Sequence, residues 1–374
     1  MKSKIILISY QVHRAFITPI KNLSTILGGF SEKGEVLITS NENSWEQIIH
    51  GNINHYHIIS KIYQNIFFRV FNYILTEIKI SYLLFKISKS DDTVIYFMHN
   101  SPILPMFLSK IMRMKIVRML PSSVKISLWD SRTDPLSIFP VLLQNIGYSI
   151  SNIIIVYSPL LIREWNLEKY KRKIKIARHH FIDFDTFRMT IQLSERPNMI
   201  GYIGRMNFEK GFENFLDSLP AIFESDKKLK ILIGGDGPLK HLIPKKISKE
   251  QLENDVILKN WIAHEDLPSL YNNLKLLIIP SYTEGLSNVL LEAMACGTPV
   301  LVTPVGANPE IIKDGKTGYI MENNSPDCIA KNINRALTDP NLENIAINAK
   351  KMVEREFTFE ITVKQWKRIL DNYE

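Results

Sequence analysis

Glu284 and Glu292 stand with seven residues between them in the run Ser281-Tyr-Thr-Glu-Gly-Leu-Ser-Asn-Val-Leu-Leu-Glu-Ala-Met-Ala-Cys-Gly-Thr-Pro299. An apolar strand pattern ends just before it, at Pro280. Glu284 therefore falls in a loop, Gly285 frees the backbone there, and Ser287 or Asn288 is placed to cap the helix that follows. Glu292 is expected about two turns into that helix. A loop carboxylate can meet one set of hydroxyls and a helical carboxylate a second. Between them the N-terminal amides around Leu286, Ser287 and Asn288 carry the positive end of a helix dipole, which suits a phosphate. Taken in order, that spacing fits a sugar, a diphosphate and a ribose. The plainer reading of Glu292 is a capping or surface glutamate.

Two further loops add to this. Gly204-Arg-Met-Asn-Phe-Glu-Lys-Gly211 follows the strand pattern Met199–Ile203 directly and precedes a helix. Gly204 lets backbone approach a ligand, Arg205 can fork onto phosphate oxygens, and Lys210 supplies a point charge. Read plainly, it is a strand–helix turn with surface charges. Gly234-Gly-Asp-Gly-Pro238 also follows a strand pattern, and there the plain reading of a tight turn is favoured, Asp236 included.

The elements that must position these loops alternate along the chain. Short β-branched runs stand at Ile5–Ser9, Glu35–Thr39, Tyr56–Ser60, Val94–Met98, Ile116–Met119, Ile153–Tyr157 and Ile174–Ala177. A second series stands at Met199–Ile203, Lys230–Ile233, Val256–Leu258, Leu276–Ile279, Pro299–Val302 and Gly318–Met321. Helical patterns lie between most of them. This predicts an α/β protein of two doubly wound, Rossmann-like parallel sheets facing a cleft. The 374 residues suit two domains, at 1–195 and 196–357, with a last helix at 358–374 packing at the seam.

Charge is uneven. Residues 1–195 carry 24 Lys+Arg against 14 Asp+Glu, and the remainder 22 against 24. The densest basic run is Lys169, Lys171, Arg172, Lys173, Lys175 and Arg178. Such a surface can meet an anionic membrane or an acidic ligand, or simply aid solubility. Residues 62–87 and 135–162 are apolar enough to suggest membrane spans. Charges interrupt the first; prolines, amides and a β-branched run that reads better as a buried strand interrupt the second, so neither is expected to be a true span. The two cysteines, Cys296 and Cys328, have no metal-ligand spacing and point to a reducing compartment. Met1–Ser9 reads as a first strand rather than a signal peptide.

The second half resembles the GT4 (group 1) family of retaining glycosyltransferases, of GT-B fold. Glu284 and Glu292 match its pair of glutamates separated by seven residues, and Gly204-Arg205 through Lys210-Gly211 matches its diphosphate loop. Ala293–Val300, Val305–Glu310 and Gly315–Gly318 continue in the family's order, so the match covers about 198–357 closely. The resemblance implies that Glu284 contacts the donor sugar, Glu292 the nucleoside ribose, and Arg205 and Lys210 the diphosphate. Gly204, Gly285, Leu286, Ser287 and Asn288 complete the implied donor site. It also implies retention of the anomeric configuration, with a nucleotide-diphosphate sugar as co-substrate and neither cofactor nor metal.

The first half departs from the family. Its usual glycine pair after the first strand is replaced by Gln11-Val-His-Arg14, and its usual histidine after the fifth strand by Pro121-Ser-Ser123. His99, after Val94–Met98, is the remaining catalytic candidate beside Glu284; a structural strand-end histidine is the competing reading. Asp183-Phe-Asp185 spells a metal-binding D-x-D but sits in a crossover and reads as structural.

The expected activity is transfer of a sugar to a glycan or lipid-linked acceptor. The expected location is cytoplasmic, peripheral on an anionic membrane face through the aromatic-rich Ile62–Ile87 segment. An epimerase or hydrolase of the same plan and a non-catalytic sugar-nucleotide-binding subunit are the alternatives. The lack of G-x-G-x-x-G after a first strand argues against a dinucleotide dehydrogenase. A nucleic-acid binder would leave the glutamate pair unexplained.

Overall fold

The computed structural model describes residues 4–9, 17–31, 34–40, 54–61, 63, 65–97, 102–121 and 138–371. Strands form where the β-branched runs stand, within about two residues of the expected bounds. β1 (Ile5–Ser9), β2 (Gly34–Ser40), β3 (Asn54–Ile59), β4 (Thr93–Phe97), β5 (Lys115–Met119), β6 (Ile153–Val156) and β7 (Ile174–Ile176) make one sheet, in the order β3-β2-β1-β4-β5-β6-β7. β8 (Met199–Ile203), β9 (Lys230–Gly234), β10 (Val256–Lys259), β11 (Leu276–Ile279), β12 (Val300–Val302) and β13 (Tyr319–Ile320) make a second, β10-β9-β8-β11-β12-β13. All pairings are parallel.

Parallel neighbours need crossovers, and helices supply them. In the first sheet these are α1 (Ile17–Gly28), α2 (Ile66–Ile87), α3 (Ile103–Ile111), α4 (Ile138–Ile150) and α5 (Leu160–Glu164). In the second they are α6 (Phe212–Ser225), α7 (Leu242–Lys249), α8 (Leu267–Tyr271), α9 (Asn288–Ala295) and α10 (Asn308–Ile311). α11 (Pro326–Leu337), α12 (Leu342–Glu356) and α13 (Phe359–Asp371) complete the chain's helices among the described residues. Every residue of β1, β4, β6 and β11 is buried, as expected of strands covered on both faces.

Contacts divide the chain into residues 1–181 with 359–374, and residues 182–358. The first boundary therefore lies earlier than the expected 195/196. Arg196 explains this. Its guanidinium is buried and donates to the carbonyls of Ile191, Tyr271, Leu274 and Cys296 and to the Thr298 hydroxyl. Asn272 likewise accepts from the Thr190 amide and donates to the Arg188 carbonyl. The segment before Arg196 is thus fastened to the second sheet's own helices and loops.

The last helix returns to the first unit. Trp366 is fully buried and its indole donates to the Arg178 carbonyl at 2.7 Å, while the Thr362 hydroxyl donates to the His180 carbonyl. Residues 66–87 are a single helix, and 138–156 a helix followed by β6, not spans. Among the described residues, no helix is long and apolar enough to cross a membrane.

Candidate functional site

In the second sheet the strand order reverses between β8 and β11, which lie side by side with Leu277 opposite Gly201. Loops leaving the carboxyl ends of two such strands diverge and open a ligand crevice. The two loops here are Gly204–Gly211 after β8 and Pro280–Ser287 after β11. The Gly204 amide donates to the Gly234 carbonyl at 3.0 Å, and a Cβ on Gly204 would meet nothing nearer than the Tyr202 hydroxyl at 3.9 Å. Protein packing therefore leaves room at Gly204. The Gly234–Gly237 turn lies under this loop, tied by the Met206 amide to the Asp236 carbonyl at 2.9 Å. Asp236 bonds its own neighbour's amide, Gly237, as a turn residue does.

Lys210 is brought to the other loop by two local devices. The Asn207 side chain accepts from the Lys210 amide at 3.2 Å, capping a short 3₁₀ turn. Gly211 then adopts a left-handed backbone, φ 64°, where a Cβ would stand 2.0 Å from the Pro280 carbonyl oxygen. Only glycine lets the two loops close that far. The outcome is an ion pair, Lys210 Nζ to Glu284 Oε1 at 2.6 Å, with the Glu284 side chain 5% exposed. The Ser281 hydroxyl donates to the same oxygen at 2.9 Å. Behind Glu284, Gly306 at φ 61° would place a Cβ 2.0 Å from its carbonyl oxygen, and the Ala307 amide donates to Gly285. The Val305–Glu310 motif thus supports the Glu284 loop from beneath.

Glu292 is held differently. It sits in the fifth position of α9, just over one turn in rather than two, because the helix begins at Asn288 with Ser287 as its cap. The Ser287 cap is by backbone only, without a side-chain bond. The Tyr271 hydroxyl donates to Glu292 Oε2 at 2.9 Å, and His264 Nε2 lies 3.2 Å from Oε1. Tyr271 is fully buried; burial, and then the adjacent carboxylate, raise its phenol far above the ordinary range, so it stays a donor. His264 packs edge-on against Phe187 at 5.0 Å. A surface glutamate would have none of these partners.

Arg205 takes no part in the Lys210 pair. It is half-exposed and reaches Glu209 at 3.4 Å, so the two expected cations sit in different surroundings. Leu286 is buried, and Ser287 and Asn288 are partly exposed at the start of α9. Asp183 accepts from the Asp185 and Thr186 amides and the Thr186 hydroxyl, chiefly the last, which holds its carboxyl below the usual range. That is a turn-closing role. Among the described residues, no three of His, Cys, Asp or Glu gather as metal ligands would. His99 lies outside the described residues, as do residues 11–14 and 122–123. Sequence reading passed over Ser281, Tyr271 and His264. Ser281 was in the motif, but no spacing rule ties the other two to Glu292.

Two doubly wound parallel sheets of this order give the GT-B architecture. Solved structures bear this out for the fold. HepE from Anabaena, in complex with UDP and glucose, superposes with a TM-score of 0.75 at 16% identity, over 98% of this chain and 99% of that one. Sucrose-phosphate synthase from Thermosynechococcus elongatus gives 0.76 at 16% identity, over 99% and 98%. Residues 183–352, within the second unit, match the family Glycosyl transferases group 1. An uncharacterised glycosyltransferase of Methanocaldococcus jannaschii is 32% identical over 180 residues, 48% of this chain and 46% of that one. The capsular polysaccharide biosynthesis glycosyltransferase CapM of Staphylococcus aureus is 31% identical over 166 residues, 44% and 43%. The chain spans about half the length of the curated relatives it matches.

Proposed function

We propose that this chain transfers a sugar from a nucleotide-diphosphate sugar to a glycan or lipid-linked acceptor, with retention and without a divalent ion. The observation that carries the proposal is the 2.6 Å pair of Lys210 and Glu284 at the switch point, beside the N-terminus of α9. A donor placed there sets its diphosphate against Lys210, Arg205 and the helix start, its sugar against Glu284 and its ribose against Glu292. Glycosyltransferase relatives and a structural neighbour holding UDP and glucose support the donor class.

In this reading the acceptor hydroxyl attacks the anomeric carbon on the face the diphosphate leaves, and its proton passes to the departing phosphate oxygen. Lys210, Arg205 and the helix amides stabilise the charge that develops on that leaving group. Attack and departure on one face keep the anomeric configuration. The test is a donor screen with the product anomer assigned by NMR. Transfer with retention is expected; an inverted product overturns the mechanism. Hydrolysis or epimerisation without transfer to any acceptor overturns the activity.

A further inference from the structure

Helix α2 turns an apolar face outward. Phe67, Phe71, Ile74, Ile78, Tyr82 and Phe85 recur every three or four residues and so share one side of the helix, a stripe about 27 Å long at 1.5 Å per residue. These are not core residues: Phe67 is 81% exposed, Phe71 and Tyr82 65%, Phe85 64%. The core side of the helix is Thr76, Glu77, Ile80 and Leu84. Beside the stripe, α3 exposes Leu104, Phe107 and Ile111, and the two helices enclose an open apolar groove between them.

This groove is built, not incidental. Pro102 at the start of α3 offers no side-chain cap. Buried Glu77 of α2 takes that place, accepting from the Ile103 and Leu104 amides at 3.1 and 3.0 Å. A carboxylate at a helix N-terminus is favourable, so α3 is pinned to α2. Burial nonetheless raises the Glu77 carboxyl above its ordinary range.

The exposed charges around the ridge are basic with one exception, Asp91. Lys79 and Lys86 stand on the row of α2 next to the stripe, and Lys89, Lys110 and Arg113 are exposed nearby. Among the described residues from 66 to 113, Asp91 is the one exposed acid. Lys110 also lies close enough to Lys173 for its charge to add to burial in lowering that ammonium, which joins the ridge to the basic run at 169–175.

From this we infer that the α2–α3 ridge is the surface by which the chain lies on an anionic lipid bilayer. The stripe's rings sit in the interfacial layer and the lysines meet headgroups. A second copy of the chain fits less well, because a two-fold contact through the same patch would set lysine against lysine. The inference does not rest on the donor site, and it is tested without nucleotide.

The full chain is sedimented with vesicles of phosphatidylcholine alone or mixed with phosphatidylglycerol, at low and high salt. Two variants accompany it, Phe67→Ser/Phe71→Ser/Phe85→Ser and Lys79→Gln/Lys86→Gln; all five side chains are exposed, so circular dichroism and melting should match the parent. The parent should bind the anionic vesicles at low salt, and the serine variant should lose binding at both salts. The glutamine variant should bind on the order of 30-fold more weakly at low salt, since each lysine near an anionic surface contributes roughly fivefold. No parent binding to anionic vesicles at low salt overturns the inference. So does a serine variant that binds like the parent. A parent dimer that the serine substitutions dissociate, without vesicle binding, assigns the ridge to a second copy instead.

Discussion

Two buried clusters, one in each unit, treat their polar groups in opposite ways. In the second, the buried carboxylates are engaged: Glu284 with Lys210 and Ser281, Glu292 with Tyr271 and His264. In the first, His179 is buried with neither ring nitrogen hydrogen-bonded, stacked on His180 at 4.0 Å and edge-on to Phe97 and Tyr157. The Tyr157 hydroxyl is buried and unbonded as well. Burying an unpaired polar group costs stability, whereas a satisfied network fixes side chains in place. The difference teaches where preorganisation lies: around Glu284 and Glu292 charges are held ready, and around His179 neutral rings serve as packing.

The largest test breaks the Lys210–Glu284 pair. Lys210→Ala removes the cation beside a buried carboxylate and beside the proposed diphosphate. Its expected loss is about 2–4 kcal/mol of transition-state stabilisation, roughly 30- to 1,000-fold in kcat. Arg205→Ala should lose less, because Arg205 is half-exposed and only loosely paired. Glu284→Gln should lower turnover with the fold intact. If all three folded variants keep full activity by steady-state kinetics, the site is misassigned.

A second test takes the other carboxylate. Tyr271→Phe removes a buried hydrogen bond to a charged acceptor, about 1.5–3 kcal/mol. It should raise the donor KM by an order of magnitude or more with a smaller change in kcat, since the residue acts through Glu292. His264→Ala should do the same more weakly, the ring being half-exposed. An unchanged KM in both would detach Glu292 from the donor.

The first unit offers a test of stability. Burial depresses His179 to about 3 from its ordinary 6.5. Between those values the unfolded chain binds a proton that the folded chain does not, so stability falls as pH drops from 6.5 towards 3. His179→Phe should flatten that acid limb by up to about 1.4 kcal/mol per pH unit, read from urea midpoints at successive pH values. An identical limb in the variant would mean that another group governs it.

The smallest expected effect is none. Activity should persist in excess chelator, and Asp183→Asn should not change its metal response. Complete loss in chelator, restored by Mg²⁺ or Mn²⁺, would return Asp183 and Asp185 to the site.

Much of this was legible in the chain itself. Runs such as Ile153–Val156 and Leu276–Ile279 declare buried strands because their composition alone separates them from helices. Glu284 and Lys210 were legible because each lies a few residues beyond such a strand, where a doubly wound sheet gathers its loops. Tyr271 and His264 were not. They precede Glu292 by 21 and 28 residues, and which hydroxyl meets a carboxylate depends on how α8 and α9 pack. The length of α2 was visible as an apolar segment, yet which side faced outward was not. Apolar residues stand on both sides, since Ile80 and Leu84 face the core as the stripe faces out, and Glu77 turned inward to cap α3 rather than outward to water.

The return of α13 has a consequence for synthesis. Residues 359–371 leave the ribosome after 182–358, and Trp366, Thr362 and the Lys115 bond to the Leu370 carbonyl all close onto elements made far earlier. The earlier-made half of the chain therefore waits with an unfilled tryptophan socket while the later-made half already has every strand it needs. Translation order and order of completion run in opposite directions, and a nascent chain halted near residue 358 would carry a finished second unit on an unfinished first.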